Sequence, residues 1–169
     1  DPYGNPMSQD ACAPPLSCEF PILSAVHPAV WDYLLSIVKT FIDADVDGVQ
    51  IDELAIGTIY YPDFNPNTVT EFRQYLLDTY SAEVLQEMGQ PYGISDFSTL
   101  DYAAVARAYL PPDRTSLYRD EADWDLVSRI PFWNEYQRFL REKQYDFARW
   151  LINEGKSYAM EAKGSEIPF

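Results

Sequence analysis

Apolar residues recur at intervals of three and four positions in several stretches of this chain, which is the spacing of a helix with one buried face. The stretches cover residues 28–42, 70–80, 82–88, about 98–108 and 131 to Gly155 or Gly164. Proline is favoured in the first helical turn, so Pro28 and Pro131 indicate where the first and the longest helix begin. The pattern predicts a mostly helical protein, with Ser24 or His27 capping the first helix.

Residues 46–51 follow a different pattern, because they are short, rich in β-branched side chains and bounded by acidic residues. Val49 and Ile51 would point to one face of a strand, while Gln50 and Asp52 would point to the other. This alternation predicts a strand of about five residues with one apolar face and one polar face.

The remaining stretches are rich in residues that interrupt regular structure. Residues 1–27 contain five prolines, residues 54–69 combine glycine, proline and aromatic residues, and residues 112–130 form an acidic stretch with a short helical turn. Each is predicted to be mainly a loop. Cys12 and Cys18 are close enough in sequence to form a local disulfide, which favours a secreted or extracellular protein, although two free thiols in a cytosolic protein are the alternative.

The charge of the chain restricts its partners. The formal net charge is -15 at pH 7, and such a field repels the phosphates of nucleic acids and of anionic membranes. No run approaches the roughly 20 apolar residues that span a bilayer. Neutral ligands or cations are therefore the expected partners, with no nucleic acid and no membrane.

The acidic stretch after the first helix has a partial calcium-loop pattern. The first ligand positions and the glycine of such a loop are matched by Asp43, Asp45, Asp47 and Gly48. The pattern then fails, because Gln50 stands at the apolar position and Leu54 at the position of the bidentate glutamate. We therefore expect no metal site and no cofactor, and calcium binding remains only part of an alternative function.

A family resemblance comes from the order of several short motifs. They are His27–Leu34, Phe41–Asp43, Asp47–Glu53, Phe72–Leu76, Tyr80 and the stretch from Trp133 to Trp150. In this order they resemble (β/α)8-barrel glycoside hydrolases, in particular the β-galactosidase-like class of family 42, around strand four and the excursion that follows it.

The resemblance implies an α/β fold, namely a segment of a (β/α)8 TIM barrel from the end of strand three to the start of strand five. This single segment would be predominantly helical with one strand. It would comprise a loop (1–27), a helix and catalytic strand (28–53), a loop-rich helical excursion (54–130) and a long helix (131–163). The remainder of the barrel would then be its partner, since such barrels contain roughly 250 residues.

The same resemblance implies catalytic residues at the end of the predicted strand. Glu53 corresponds to the general acid/base of the family, which follows an asparagine there, whereas this chain has Asp52. In α-amylase-like barrels an aspartate at the end of strand four is the nucleophile, so Asp52 is a rival candidate. Neighbouring strand residues point to opposite faces, so the second carboxylate is expected outside this segment.

The expected function is hydrolysis of glycosidic bonds in an oligo- or polysaccharide. Aromatic rings can stack on the C–H faces of sugars, and the candidate substrate contacts are Gln50, Tyr60, Tyr61 and Trp124, with Phe64 as a further ring. The alternative is a non-catalytic secreted module that binds carbohydrate or mediates assembly, with the acidic stretch binding calcium.

Overall fold

The computed structural model of the protein describes residues 2–4, 8–10, 19–21, 23–51, 63–110 and 121–169, without the side chains of 8–10, 19–21 and 121–124. Within these ranges the backbone forms one short hairpin and six α-helices. The hairpin strands are β1 (Ser8–Asp10) and β2 (Glu19–Pro21), and the helices are α1 (Pro28–Asp43), α2 (Pro66–Thr79), α3 (Ala82–Gly89), α4 (Tyr102–Arg107), α5 (Glu121–Ser128) and α6 (Trp133–Lys163). Two 3-10 turns, Gln90–Tyr92 and Phe97–Thr99, lie between α3 and α4.

Helices α1 and α2 begin where a proline in the first turn coincides with a capping side chain. Pro28 stands in the first turn of α1, and the His27 side chain accepts a backbone hydrogen bond from that turn, as predicted. Helix α2 begins one turn earlier than predicted, at Pro66. Its cap is Asn65, whose side-chain oxygen accepts two N–H groups of the first turn at 2.8 and 3.2 Å. This capping satisfies donors that a helix terminus otherwise leaves unpaired.

The first half of α6 packs into the larger of two cores. Phe72 of α2 is fully buried there, with its ring centroid 4.7 Å from those of both Tyr102 and Tyr136 and 5.5 Å from that of Phe139. Edge-to-face contacts of this kind add to the free energy of apolar burial. The Tyr136 hydroxyl donates to the backbone carbonyl of Asp63, and burial, with a smaller effect of the Asp63 charge, raises the pKa of Tyr136 well above its ordinary value.

The second half of α6 packs against α1 in a smaller core. The Trp31 ring lies 5.3 Å from Phe147 and 5.0 Å from Trp150 at one end, and Tyr158 contacts Asp43 at the other. Because residue numbers rise together along both helices, α1 and α6 run parallel. No described helix, α6 included, is long and apolar enough to span a bilayer.

The predicted barrel segment is wrong, because residues 46–51 form no strand and the described helices pack on one another around two cores. A strand requires a ladder of backbone hydrogen bonds. Residues 46–51 instead make one such bond to the segment 167–169. Their alternation is still visible in burial, since Val49 and Ile51 pack against the α1–α6 core while Gln50 is exposed.

Two other stretches are more regular than the predicted loops. Strands β1 and β2 lie within residues 1–27 and pair antiparallel, with Gln9 opposite Phe20. Helix α5 occupies the end of the predicted acidic loop, where only a short helical turn was expected. Cys12 and Cys18 lie outside the described residues, so the predicted disulfide stays a prediction.

Candidate functional site

The candidate site is the acidic turn that follows α1. The helix closes through the Ala44 N–H, which donates to the Thr40 carbonyl at 3.1 Å, and the Asp45 N–H then donates to the Ile42 carbonyl at 3.0 Å. Asp45 has a φ of 64°, in the left-handed region that aspartate tolerates better than most residues. This conformation turns the chain away from the helix axis and directs residues 46–51 alongside the end of α6.

Two side chains of α6 hold the acidic turn. The Tyr158 hydroxyl donates to Oδ1 of Asp43 at 2.9 Å, and Nζ of Lys163 donates to Oδ1 of Asp45 at 2.7 Å. The hydrogen bond from Lys163, together with its charge, lowers the pKa of Asp45. The hydrogen bond to Asp43 raises the pKa of Tyr158. Carboxylates at the C-terminus of α1 oppose the helix dipole, so these two donors offset an unfavourable charge arrangement.

A third contact fixes the segment after the turn. The Val49 N–H donates to the Pro168 carbonyl at 3.0 Å. At Gly48 a Cβ atom would lie 3.1 Å from Cγ of Pro168 and 3.3 Å from its carbonyl oxygen, closer than most side chains tolerate. Glycine therefore permits this close approach. The chain is anchored on both sides of Gly48 just before it reaches Asp52 and Glu53.

The sequence-predicted site residues fall into two groups. Gln50 is described and exposed, next to the anchored segment. Phe64 is described too, but it is 5% exposed and stacks on Tyr136, so it is a core residue rather than a sugar platform.

The other predicted residues lie outside what the structure describes. Asp52, Glu53, Tyr60 and Tyr61 fall between residues 51 and 63, and Trp124 lies in α5 without a described side chain. Their assignment to catalysis and substrate binding therefore stays a prediction.

A calcium site is not formed by the described part of the acidic stretch. Among the described residues, no group of three or more His, Cys, Asp or Glu side chains is placed to hold a metal ion. The Asp45 carboxylate is already paired with Lys163. Asp43 and Asp45 thus lie at the end of α1 and accept hydrogen bonds from α6, whereas Asp47 is exposed.

Sequence reasoning missed Tyr158, Lys163 and Pro168 as partners of the acidic turn. They are more than a hundred residues away in sequence, and no local pattern links them to residues 43–49. One signal did exist: acidic residues at the end of one helix and a lysine in the last turn of another have complementary charges. This signal predicts a pairing only once the two helices are known to run parallel.

The ion pair between Asp45 and Lys163 makes a testable contribution to stability. Because the pKa of Asp45 is lowered on folding, the pair stabilises the protein fully above the ordinary pKa of 3.8, and this contribution is lost as pH falls through the lower folded pKa. We expect Lys163→Met to lower Tm slightly at pH 7, since Asp45 is exposed, and to have a vanishing effect in strong acid.

The measurement is thermal unfolding by circular dichroism from pH 2 to pH 7. Lys156→Met removes the same charge from α6 at a lysine with no ion pair to another described residue, and serves as the control. An equal Tm loss in both variants at every pH would show that the pair itself contributes nothing.

The three anchoring contacts therefore define a fixed acidic turn at the end of the parallel pair of helices α1 and α6.

No protein-family model, no curated protein sequence and no solved structure matches this chain.

Proposed function

We propose that the protein hydrolyses glycosidic bonds in an oligo- or polysaccharide, with Glu53 as the general acid/base. Glycoside hydrolysis requires one protonated carboxyl group to donate to the leaving oxygen and a second, ionised carboxylate to attack the sugar or to activate water. Asp52 is the alternative nucleophile. The partner carboxylate is another acidic residue of the protein, because the two carboxyl groups of a glycosidase flank the scissile bond and lie about 5 Å or more apart.

The observation that supports this proposal is the anchoring of the chain immediately before Asp52 and Glu53. Catalytic groups need to be held within about 0.5 Å of their productive geometry by rigid supporting structure. The Val49 hydrogen bond and the ion pair of Lys163 to Asp45 provide such support on the N-terminal side.

The candidate substrate contacts suit a neutral ligand. Gln50 is exposed beside the anchored segment, where its amide has both donors and an acceptor for sugar hydroxyls. Tyr60, Tyr61 and Trp124 supply rings for stacking on sugar faces. A secreted enzyme that acts on extracellular polysaccharide would also explain the acidic composition of the chain, since net charge keeps a protein soluble.

The test is hydrolysis of a panel of α- and β-linked aryl glycosides and oligosaccharides by the purified protein. We expect turnover of at least one substrate, and proton NMR of the first-formed anomer then shows whether configuration is retained. Binding of an oligosaccharide without turnover would contradict the proposal and would indicate the non-catalytic carbohydrate-binding alternative.

A further inference from the structure

A groove separate from the acidic turn lies between the N-terminal segment 2–4, α2 and α4. Its volume is about 400 Å³, within the range of small-molecule sites. One face of α2 forms a wall, because Arg73 stands four residues after Val69 and three after Thr70, and all three line the groove. The adjoining face of the helix carries Phe72, which is buried in the larger core.

The N-terminal segment 2–4 forms the second wall of the groove. Hydrogen bonds to residues at the end of α4, far away in sequence, hold this segment in place. Nη1 of Arg107 donates to the Pro2 carbonyl at 2.6 Å, and its Nη2 lies 3.4 Å from Oδ2 of Asp101. The Tyr3 hydroxyl donates to the carbonyl of Leu110 and, at 3.2 Å, to that of Arg107. Both terminal nitrogens of Arg107 are thus engaged with other residues that line the groove.

Arg73 differs from Arg107, because it forms no hydrogen bond or ion pair with any residue in the part of the chain that the structure describes. Arg73 therefore brings to this concave site a positive charge that no described carboxylate neutralises. Its guanidinium offers a planar set of donors that matches a carboxylate in a bidentate geometry.

We propose that this groove binds a hydroxylated monocarboxylate of sugar size, such as a uronic acid residue, with the ligand carboxylate on Arg73. Thr70 and Asp101 offer a hydroxyl group and a carboxylate to ligand hydroxyls, and Val69 offers an apolar surface to the ring. The negative charge of Asp101 disfavours a second anionic group in the groove, so the lining favours a ligand with one carboxylate and several hydroxyl groups.

The test is isothermal titration of the intact protein with three probes. They are glucuronic acid, a short oligosaccharide that ends in glucuronic acid, and the methyl ester of that oligosaccharide. We expect the esterified probe to bind at least roughly 10-fold more weakly than the acid, because charge-assisted hydrogen bonds are stronger than neutral ones. Tighter binding of the oligosaccharide than of free glucuronic acid identifies a saccharide end as the natural ligand, and equal binding identifies a free sugar acid.

Arg73→Gln should weaken binding of the acid about 10-fold and leave binding of the ester unchanged. Arg129→Gln is the matched control, because Arg129 is an exposed arginine immediately after α5 that lies outside the groove and, among the described residues, forms an ion pair with Asp125 alone. Equal affinity for acid and ester, or an unchanged affinity of the Arg73→Gln variant, would overturn the proposal. The readout is binding, so a failure of the hydrolysis assay leaves this result interpretable.

Discussion

Glu53→Gln is expected to slow hydrolysis of glycosides with poor leaving groups by roughly 10²- to 10⁴-fold, which is the usual contribution of general acid–base catalysis. Glutamine keeps the shape of the side chain but has no acidic proton to donate to the leaving oxygen. Aryl glycosides with an acidic phenol as leaving group need little protonation, so their rate of bond cleavage should fall much less. The difference between the two substrate types is specific to a lost acid.

Two variants of the same acidic stretch provide the comparison for Glu53→Gln. Asp47→Asn makes the same carboxylate-to-amide change at an exposed position before the anchored Val49, and should leave kcat/KM nearly unchanged. Asp52→Asn should slow both substrate types equally if Asp52 is the nucleophile. Unchanged kcat/KM in Glu53→Gln on every substrate would remove Glu53 from the mechanism.

Phe72→Ala is expected to lower the free energy of unfolding by about 3–5 kcal/mol, the usual cost of removing a fully buried aromatic ring. The Phe72 ring is fully buried against Tyr102, Tyr136 and Phe139, so its removal leaves a cavity where α2, α4 and α6 meet. Since domains have a total stability of only about 5–15 kcal/mol, this loss is a large fraction.

Urea unfolding followed by circular dichroism measures this loss as a lower transition midpoint at an unchanged slope. Phe41→Ala provides the matched control, because it removes the same ring from α1 at a position that is 50% exposed. A Phe72→Ala midpoint close to that of Phe41→Ala would contradict the central position of Phe72 in the larger core.

The helices were predictable because their signals are local. Apolar spacing and Pro28 determine α1 through contacts within a few residues, whereas α2 begins at Pro66, one turn before the predicted residue 70, because Asn65 caps it there. The predicted strand failed for the opposite reason. A β-branched run becomes a strand only when a neighbouring segment completes its backbone hydrogen bonds. The segment 167–169 supplies only one such bond, from the Val49 N–H to the Pro168 carbonyl.

The candidate site was predictable in part. The sequence drew attention to the acidic stretch, and its glycine at position 48 does permit a close backbone approach. The partners of the stretch depend on the parallel packing of α1 and α6, which no local periodicity specifies. Likewise, nothing near Arg73 in the sequence indicates that residues 2–4 and α4 form a groove beside it.

The division of α6 between two cores has a consequence for the order of folding. The larger core is formed mainly by residues 64–140, whereas the smaller core joins α1 to the second half of α6 across long separations, such as 115 residues between Asp43 and Tyr158. Closing a longer loop costs more chain entropy, and contacts distant in sequence form more slowly. Helix α1 should therefore dock last. During biosynthesis its apolar face stays without its packing partner until the second half of α6 has been synthesised.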